Sequence, residues 1–362
     1  MKICFLSDAQ SIHTKRWARH FRGRGDDVTV ISYDAGAIDD VRVIVLPPRA
    51  RLRPLNILLQ MGPIRRIIRE LRPDILHAHY VTSYGLAGAL SGRRPFVATA
   101  WGTDVLISPE TSRIFRQIVR FTLERADLVT SMAPHMTDHL VARGYAPREK
   151  ILTLPFGVDT ELFNPSRRTR RHDRENAMVV SNRLLGPAMD VDTLIRAIPR
   201  VLDALPGEGI RFVIANDGPQ RGELEALARD LGVSDCVEFI GPVEHDRMPE
   251  LLGRADLFVS TSPSDGNNIS LNEAMACGAF PVAADIPANR NWVESGRNGL
   301  LYPCRDAERL AAALVESLEK PDWRSSVVEE NAGIIRTQAS WANSMKLMEN
   351  HYLRLIEAGH ER

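Results

Sequence analysis

Short apolar runs alternate with helical patterns along almost the whole chain, and that alternation restricts the fold more than any other feature. Apolar runs at 3–6 and 28–31 flank a helix expected from about residue 14 to 24. Further strands are expected at 41–46, 75–77, 96–100, 128–130 and 151–154. Strand alternating with helix builds βαβ units and a mainly parallel sheet with helices on both faces. Such sheets take ligands at the carboxyl ends of their strands, so the loops there are where function is expected. The alternation breaks once. Residues 165–176, PSRRTRRHDREN, hold no aliphatic or aromatic residue beyond the opening Pro. The pattern restarts at 177–181 and runs on through strands at 211–215, 237–240, 257–260 and 280–284. Helices are expected near 192–205, 221–231, 248–254 and 307–318. The reading is an N-terminal domain at 1–164, a linker at 165–176 and a C-terminal domain at 177–340. A last helix at 341–362 carries Met345, Met348, Tyr352, Leu355 and Ile356 as a stripe that docks back toward the first domain.

A length of 362 residues suits two such domains. The formal charge of zero hides an asymmetry: residues 1–164 carry +7 and residues 177–362 carry −10. Four scattered cysteines (Cys4, Cys236, Cys277, Cys304) form neither a disulfide framework nor a metal-ligand spacing, which points to a reducing cytosol. MKICFLSD reads as a first strand rather than a signal peptide. No run approaches the ~18–20 apolar residues of a membrane span. The expected location is cytoplasmic, or peripheral on the inner face of a membrane.

The stretch TSPSDGNNISLNEAMACGAFPVAADIP, from 261 to 287, concentrates the chemistry. A strand, a polar Gly-bearing turn and a helix N-terminus together make an anion site, because free N–H groups and the positive helix end face one place. Asp265 and Glu273 bracket the turn. Carboxylates beside an anion site suit a sugar nucleotide, whose diphosphate needs donors and whose ribose hydroxyls need an acceptor.

Taken together, many segments resemble the retaining glycosyltransferases of family 4. In that family's order stand SNRLLGPAMDVDTLIRAI, IANDGP, VEFIGPV, ADLFVSTSPSDG, EAMACGAFPVA and NGLLYP in the second half. SIHTKRWARHFRGRGDDVTVIS, PDILHAHY, TAWGTDV, ADLVTSMAPHM and LPFGVDTELFNP stand in the first. The resemblance covers nearly the whole chain. It implies an α/β fold of GT-B architecture, two doubly wound Rossmann-like domains facing a cleft, with the acceptor on the N-terminal side and the donor on the C-terminal side. It also implies transfer of a hexose-type sugar from a UDP-, GDP- or ADP-sugar to an acceptor hydroxyl. The acceptor it implies is a sugar, a polysaccharide or a lipid-linked molecule, as in cell-envelope or glycolipid synthesis. No metal or other cofactor is implied.

Residue by residue, the resemblance gives Glu273 the ribose hydroxyls and puts Asp265, in place of a Glu, near the donor sugar. Gly266, Asn267, Asn268 and Ile269 offer backbone N–H groups, and Arg183 binds the diphosphate. The Lys that accompanies that Arg in the family is absent, with Ala188 or Met189 near its place. Pro242, in FIGPV, lies in the region that holds the base. Arg183, Asp265 and His79 are the expected catalytic residues.

On the acceptor side the expected residues are Ser11, His13, His79, Trp101 and Asp104. His79 is either a site residue or a buried structural histidine. Trp101 replaces a His common in the family, and either stacks on a sugar or packs between loops. Arg42, Arg49, Arg51, Arg53, Arg65, Arg66, Arg69 and Arg72, interleaved with apolar residues, form a basic amphipathic surface. It reads either as a contact to an anionic membrane or as a solvated helix. Nucleic acid is not an expected partner, since aromatic residues are scarce there and the overall charge is zero. Two other functions stand beside the transferase: a nucleotide-sugar-binding relative with little or no turnover, and another GT-B activity such as a sugar-nucleotide epimerase.

Overall fold

The computed structural model describes residues 1–47, 53–168 and 176–360. Arg49 and Arg51 of the basic surface, and most of the expected linker, lie outside the described residues. The chain forms two compact units, Met1–Phe156 with Ser344–Arg362, and Gly157–Asn343.

Among the described residues the first unit holds seven parallel strands: β1 (Lys2–Leu6), β2 (Asp27–Ser32), β3 (Arg42–Val45), β4 (Ile75–His79), β5 (Phe96–Ala100), β6 (Leu128–Ser131) and β7 (Ile151–Thr153). They lie in the order β3-β2-β1-β4-β5-β6-β7. β4 and β5 are buried along their full length, as expected of parallel strands covered on both faces, and so they read as largely apolar runs. Two histidines interrupt that rule. β4 continues through His77 and His79, two residues past its expected end, because each ring finds a polar partner inside the core. His77 Nδ1 hydrogen-bonds Tyr352 Oη at 2.5 Å and its Nε2 hydrogen-bonds Thr99 Oγ1 at 2.5 Å; Thr99 in turn bonds Thr130 Oγ1 at 2.6 Å.

Tyr352 belongs to the last helix, Trp341–His360. Its Met345, Met348 and Tyr352 are fully buried, while Leu355 and Ile356 are half-buried. Tyr352 stacks on Phe21 of the helix Ile12–Gly23 at 5.2 Å between centroids, and Glu349 bonds His20 at 2.7 Å and pairs with Arg24. The apolar stripe therefore covers the first unit's own core. Each such large side chain, once buried, contributes roughly 1.5–3 kcal/mol.

The described residues of the second unit form six parallel strands: β8 (Met178–Ser181), β9 (Arg211–Ile214), β10 (Val237–Phe239), β11 (Leu257–Ser260), β12 (Phe280–Ala284) and β13 (Leu300–Tyr302), in the order β10-β9-β8-β11-β12-β13. Two helices not expected from the sequence, Pro321–Ser326 and Val328–Gln338, follow Ala307–Glu319; the second packs on the helix Ile269–Ala276. The expected linker begins as packed structure. Pro165–Arg167 forms a short 3-10 turn, and Arg168 donates to the carbonyls of Ala255 at 3.1 Å and Gly278 at 2.9 Å. Phe163 is fully buried in this unit's core and Val158 pairs with Ser340. The second unit thus starts at Gly157, ahead of the expected boundary, because residues 157–168 bury their apolar groups there.

Candidate functional site

In each sheet the strand order reverses direction once, between β1 and β4 in the first unit and between β8 and β11 in the second. Loops leaving the two strands at such a point splay apart and leave a crevice at the carboxyl edge. Most of the residues singled out in the sequence lie at these two points.

In the second unit, Arg183 leaves β8 and meets the turn that leaves β11. Its Nη2 pairs with Asp265 Oδ2 at 2.7 Å, its Nη1 donates to Asn268 Oδ1 at 3.0 Å, and its Nε donates to Ser262 Oγ at 3.1 Å. The side chains of the ion pair are only 11% and 17% exposed, so it is held mostly out of water. Met189 Sδ lies 3.3 Å from Arg183 Nη2 and accepts from Ser262 Oγ at 3.2 Å, while the Met189 carbonyl accepts from Thr261 Oγ1 at 2.7 Å. Of the two candidates for the missing Lys, Met189 is the one against the guanidinium; Ala188 is exposed.

The two carboxylates are not equivalent. Asp265 uses one oxygen on Arg183 and the other on the Asn267 N–H at 3.2 Å. In this arrangement it anchors Arg183. Glu273 sits buried on the helix Ile269–Ala276, 7% exposed. That helix is capped by Asn268, whose Oδ1 accepts from the Leu271 N–H at 3.2 Å. Asn268 Nδ2 donates to Ser260 Oγ at 2.8 Å and to Asn289 Oδ1 at 2.9 Å, so its amide orientation is fixed from both ends. Asn267 Oδ1 accepts from Trp292 Nε1 at 3.2 Å and Asn272 Nδ2 at 3.3 Å.

Not all the expected backbone donors are available. The Asn267 N–H faces Asp265 and the Ile269 N–H faces the Asn267 carbonyl at 2.9 Å. Gly266 and Asn268 are the two whose N–H groups make no hydrogen bond among the described residues. Ser262, Asn272, Asn289 and Trp292 complete this site and were not singled out in the sequence.

The loop after β9 is stitched to the loop after β8. Asn216 Nδ2 donates to the Asn182 carbonyl at 3.0 Å, and the Leu185 N–H donates to the Asp217 carbonyl at 3.0 Å. Only Gly fits at 218, where a Cβ would lie 2.3 Å from the Leu185 carbonyl oxygen. Pro242 is exposed at the carboxyl edge, after β10.

In the first unit, Trp101, His13 and Phe156 form an aromatic cluster. His13 stacks on Phe156 at 4.0 Å, and Trp101 stands edge-on to both at 5.6 Å. Tyr80 and His79 approach Trp101 at 6.3 and 5.7 Å. Phe156 and Tyr80 carried no signal of their own in the sequence. Ser11 is half-buried at the N-cap of the helix Ile12–Gly23.

His79 is buried inside β4, with Nδ1 3.2 Å from Ser7 Oγ and Nε2 without a partner among the described residues. Burial, then the nearby His13, lowers its pKa to about 3, so the ring is neutral. Asp104 is fully buried and ties two loops together. Its Oδ2 accepts from the Val81 N–H at 2.7 Å, and its Oδ1 accepts from Trp101 and Gly102 at 3.0 and 2.9 Å. Desolvation raises its pKa to about 6 against these backbone bonds. Asp104 therefore shapes the loops after β4 and β5. Tyr80, at the turn out of β4, has a positive φ of 74°, a costly conformation for a side chain of that size.

Among the described residues no group of three or more His, Cys, Asp or Glu is placed to hold a metal ion, and no helix is long and apolar enough to cross a membrane.

Family models describe both halves of the chain: "Glycosyl transferase 4-like" matches residues 2–133 and "Glycosyl transferases group 1" matches residues 175–320. Among curated relatives, the D-inositol 3-phosphate glycosyltransferase of Acidothermus cellulolyticus is 26% identical, across 90% of this chain and 81% of that protein. The GDP-mannose-dependent alpha-(1-6)-phosphatidylinositol monomannoside mannosyltransferase of Mycobacterium tuberculosis is 28% identical, across 79% and 76%. Among solved structures, the sucrose-phosphate synthase of Thermosynechococcus elongatus superposes with a TM-score of 0.82 at 20% identity, covering 98% of this chain and 99% of that one. Anabaena HepE in complex with UDP superposes with a TM-score of 0.79 at 21% identity, covering 98% and 100%.

Proposed function

This chain belongs to the group 1 glycosyltransferases and has their GT-B fold, and from that premise we propose that it transfers a hexose-type sugar from a nucleoside diphosphate to an acceptor hydroxyl with retention of configuration. The observation that carries the donor assignment is the convergence of Arg183, Asp265 and Asn268 where β8 and β11 part, with the buried Glu273 on the same helix.

In this reading Arg183 meets the diphosphate, aided by the N–H groups of Gly266 and Asn268, and Glu273 accepts from the ribose hydroxyls. Asp265 acts through Arg183. The bond between the anomeric carbon and the diphosphate oxygen breaks, and its electron pair leaves with the phosphate. The acceptor oxygen bonds that carbon on the same face, and its proton passes to the departing phosphate oxygen. Arg183 then stabilises charge that grows as the bond breaks, which is where a fixed donor lowers a barrier most. No side chain has to serve as nucleophile, and no metal enters the scheme.

The acceptor falls to the first unit, at the aromatic cluster of His13, Trp101 and Phe156. A flat apolar wall suits a sugar or cyclitol ring, and the neutral His79 suits a hydroxyl better than an anion. Relatives named for inositol phosphate and phosphatidylinositol mannoside support an inositol-type or lipid-borne acceptor. The setting in this reading is cytoplasmic.

Met189 beside Arg183 favours a second reading, a donor-binding protein with weak turnover. A thermal-shift screen against UDP-, GDP- and ADP-sugars, followed by donor hydrolysis, separates the two. Stabilisation with hydrolysis supports the transferase, stabilisation alone supports the binder, and no stabilisation by any donor sinks both. Glu273→Ala is expected to weaken donor binding by about 1–3 kcal/mol; unchanged affinity in calorimetry removes Glu273 from the ribose.

A further inference from the structure

Four of the large apolar side chains that stay exposed in the first unit lie at one end of its sheet. Leu58 and Leu59, 59% and 47% exposed, lie early in the helix Arg53–Leu71, which leaves the carboxyl end of β3. Ile107 and Ile114, 42% and 69% exposed, lie in the segment that leaves the carboxyl end of β5, where the helix Arg113–Arg125 begins. Both helices pack against the short helix Leu86–Ser91, so the four residues belong to one helical layer and to one end of it. The loops carrying His13, Tyr80 and Trp101 stand at the same carboxyl edge.

The rest of the two helices is basic. Each carries four arginines against one glutamate. Arg66, Arg69, Arg113, Arg120 and Arg125 are exposed. Glu70 is partly neutralised by Arg66 at 4.0 Å. An apolar edge backed by arginines complements a surface that is anionic outside and apolar beneath. A second copy of this chain meeting the same face would set arginine against arginine, and nucleic acid would leave the apolar edge uncovered.

We propose that this corner docks on a bilayer rich in anionic phospholipid, with Leu58, Leu59, Ile107 and Ile114 entering the headgroup region and the arginines lying over lipid phosphates. The helix Arg53–Leu71 is the part visible from its arginine content; Ile107 and the helix Arg113–Arg125 join it only through the fold. Docking does not depend on the transfer reaction. It places the acceptor-side loops at the membrane surface, where a lipid-borne acceptor is already concentrated.

The test is co-sedimentation of the whole chain with phosphatidylcholine vesicles and with vesicles that also contain phosphatidylglycerol, at low and at raised salt. Binding is expected to the anionic vesicles and to fall with salt. Arg66→Gln, Arg69→Gln and Arg120→Gln together are expected to weaken it about a hundredfold, at about fivefold for each arginine. Leu58→Ser with Ile114→Ser is expected to weaken binding even at low salt. All five side chains are exposed, and an unchanged melting temperature shows that each variant folds. Failure of the unaltered chain to bind anionic vesicles overturns the proposal, as does equal binding to phosphatidylcholine alone. A concentration-dependent dimer that Ile114→Ser abolishes overturns it too, since the face then belongs to a second copy.

Discussion

Asp265→Asn separates two roles for that carboxylate, a direct contact to the donor sugar and an anchor for Arg183. The substitution keeps size and shape, keeps an oxygen for the Asn267 N–H, and removes the negative charge 2.7 Å from the guanidinium. Two unit charges about 4 Å apart at an effective dielectric near 20 attract by roughly 4 kcal/mol. Most of that is offset by desolvation, and the amide oxygen still accepts one hydrogen bond, so a loss of about 1–3 kcal/mol in folding stability is expected. Arg183 keeps its bonds to Asn268 and Ser262 and stays in the site, with less to hold it in one orientation.

Calorimetric binding of a nucleoside diphosphate and of the matching nucleotide sugar then discriminates. Arg183 would meet the diphosphate, which both ligands share, so an anchor role predicts that the two affinities move together and their ratio stays within about threefold. A hydrogen bond from a sugar hydroxyl to a charged carboxylate is worth about 1.5–3 kcal/mol, so a direct contact predicts that only the nucleotide sugar weakens, by roughly 10-fold to 150-fold. A selective loss of that size would falsify the anchor. Arg183→Ala is the control: it should weaken both ligands, since it removes the shared contact.

Two further outcomes concern the first unit. Tyr352→Phe removes the hydroxyl on His77 Nδ1 and leaves a buried ring nitrogen unpaired. The expected loss is about 1–3 kcal/mol, seen as a drop of roughly 2–12 °C in the melting of that unit; an unchanged transition would mean the contact contributes nothing. The second outcome is a pH dependence. Burial holds His79 at about 3 and His77 well below its ordinary value, so between roughly pH 3 and 6.5 the unfolded chain takes up protons that the folded chain does not. Stability therefore falls as pH drops through that window, by about 1.4 kcal/mol per pH unit for His79, with His77 acting in the same direction. Asp104, raised to about 6, acts with the opposite sign between about pH 4 and 6 and offsets part of that loss. Urea melts of His79→Gln should show a shallower acid loss than the unaltered chain, and an identical slope would refute the assignment to His79.

The sequence made the strands legible because parallel strands buried on both faces must be mostly apolar, and β5, β11 and β12 are. It made the last helix legible as a stripe, since Met345, Met348 and Tyr352 recur at helical spacing. It was weaker where a polar residue is buried with a partner from elsewhere. His79 reads as a loop residue past the expected strand end, because nothing local shows Ser7 waiting for it, and nothing local shows Thr99 or Tyr352 waiting for His77. The same holds at the donor-side site. Arg183 and Asp265 each suggest contact with a ligand when taken alone, and only the strand order, which sets β8 beside β11, brings the two together. Residue type reports what a side chain is able to bind; the topology decides what it meets first. For Arg183 that is Asp265, so any diphosphate reaching this guanidinium binds it with a carboxylate already in place, and with Met189 rather than a second cation alongside. In the proposed reaction the expected consequence is a weaker hold on the departing diphosphate, which favours its release over tight retention.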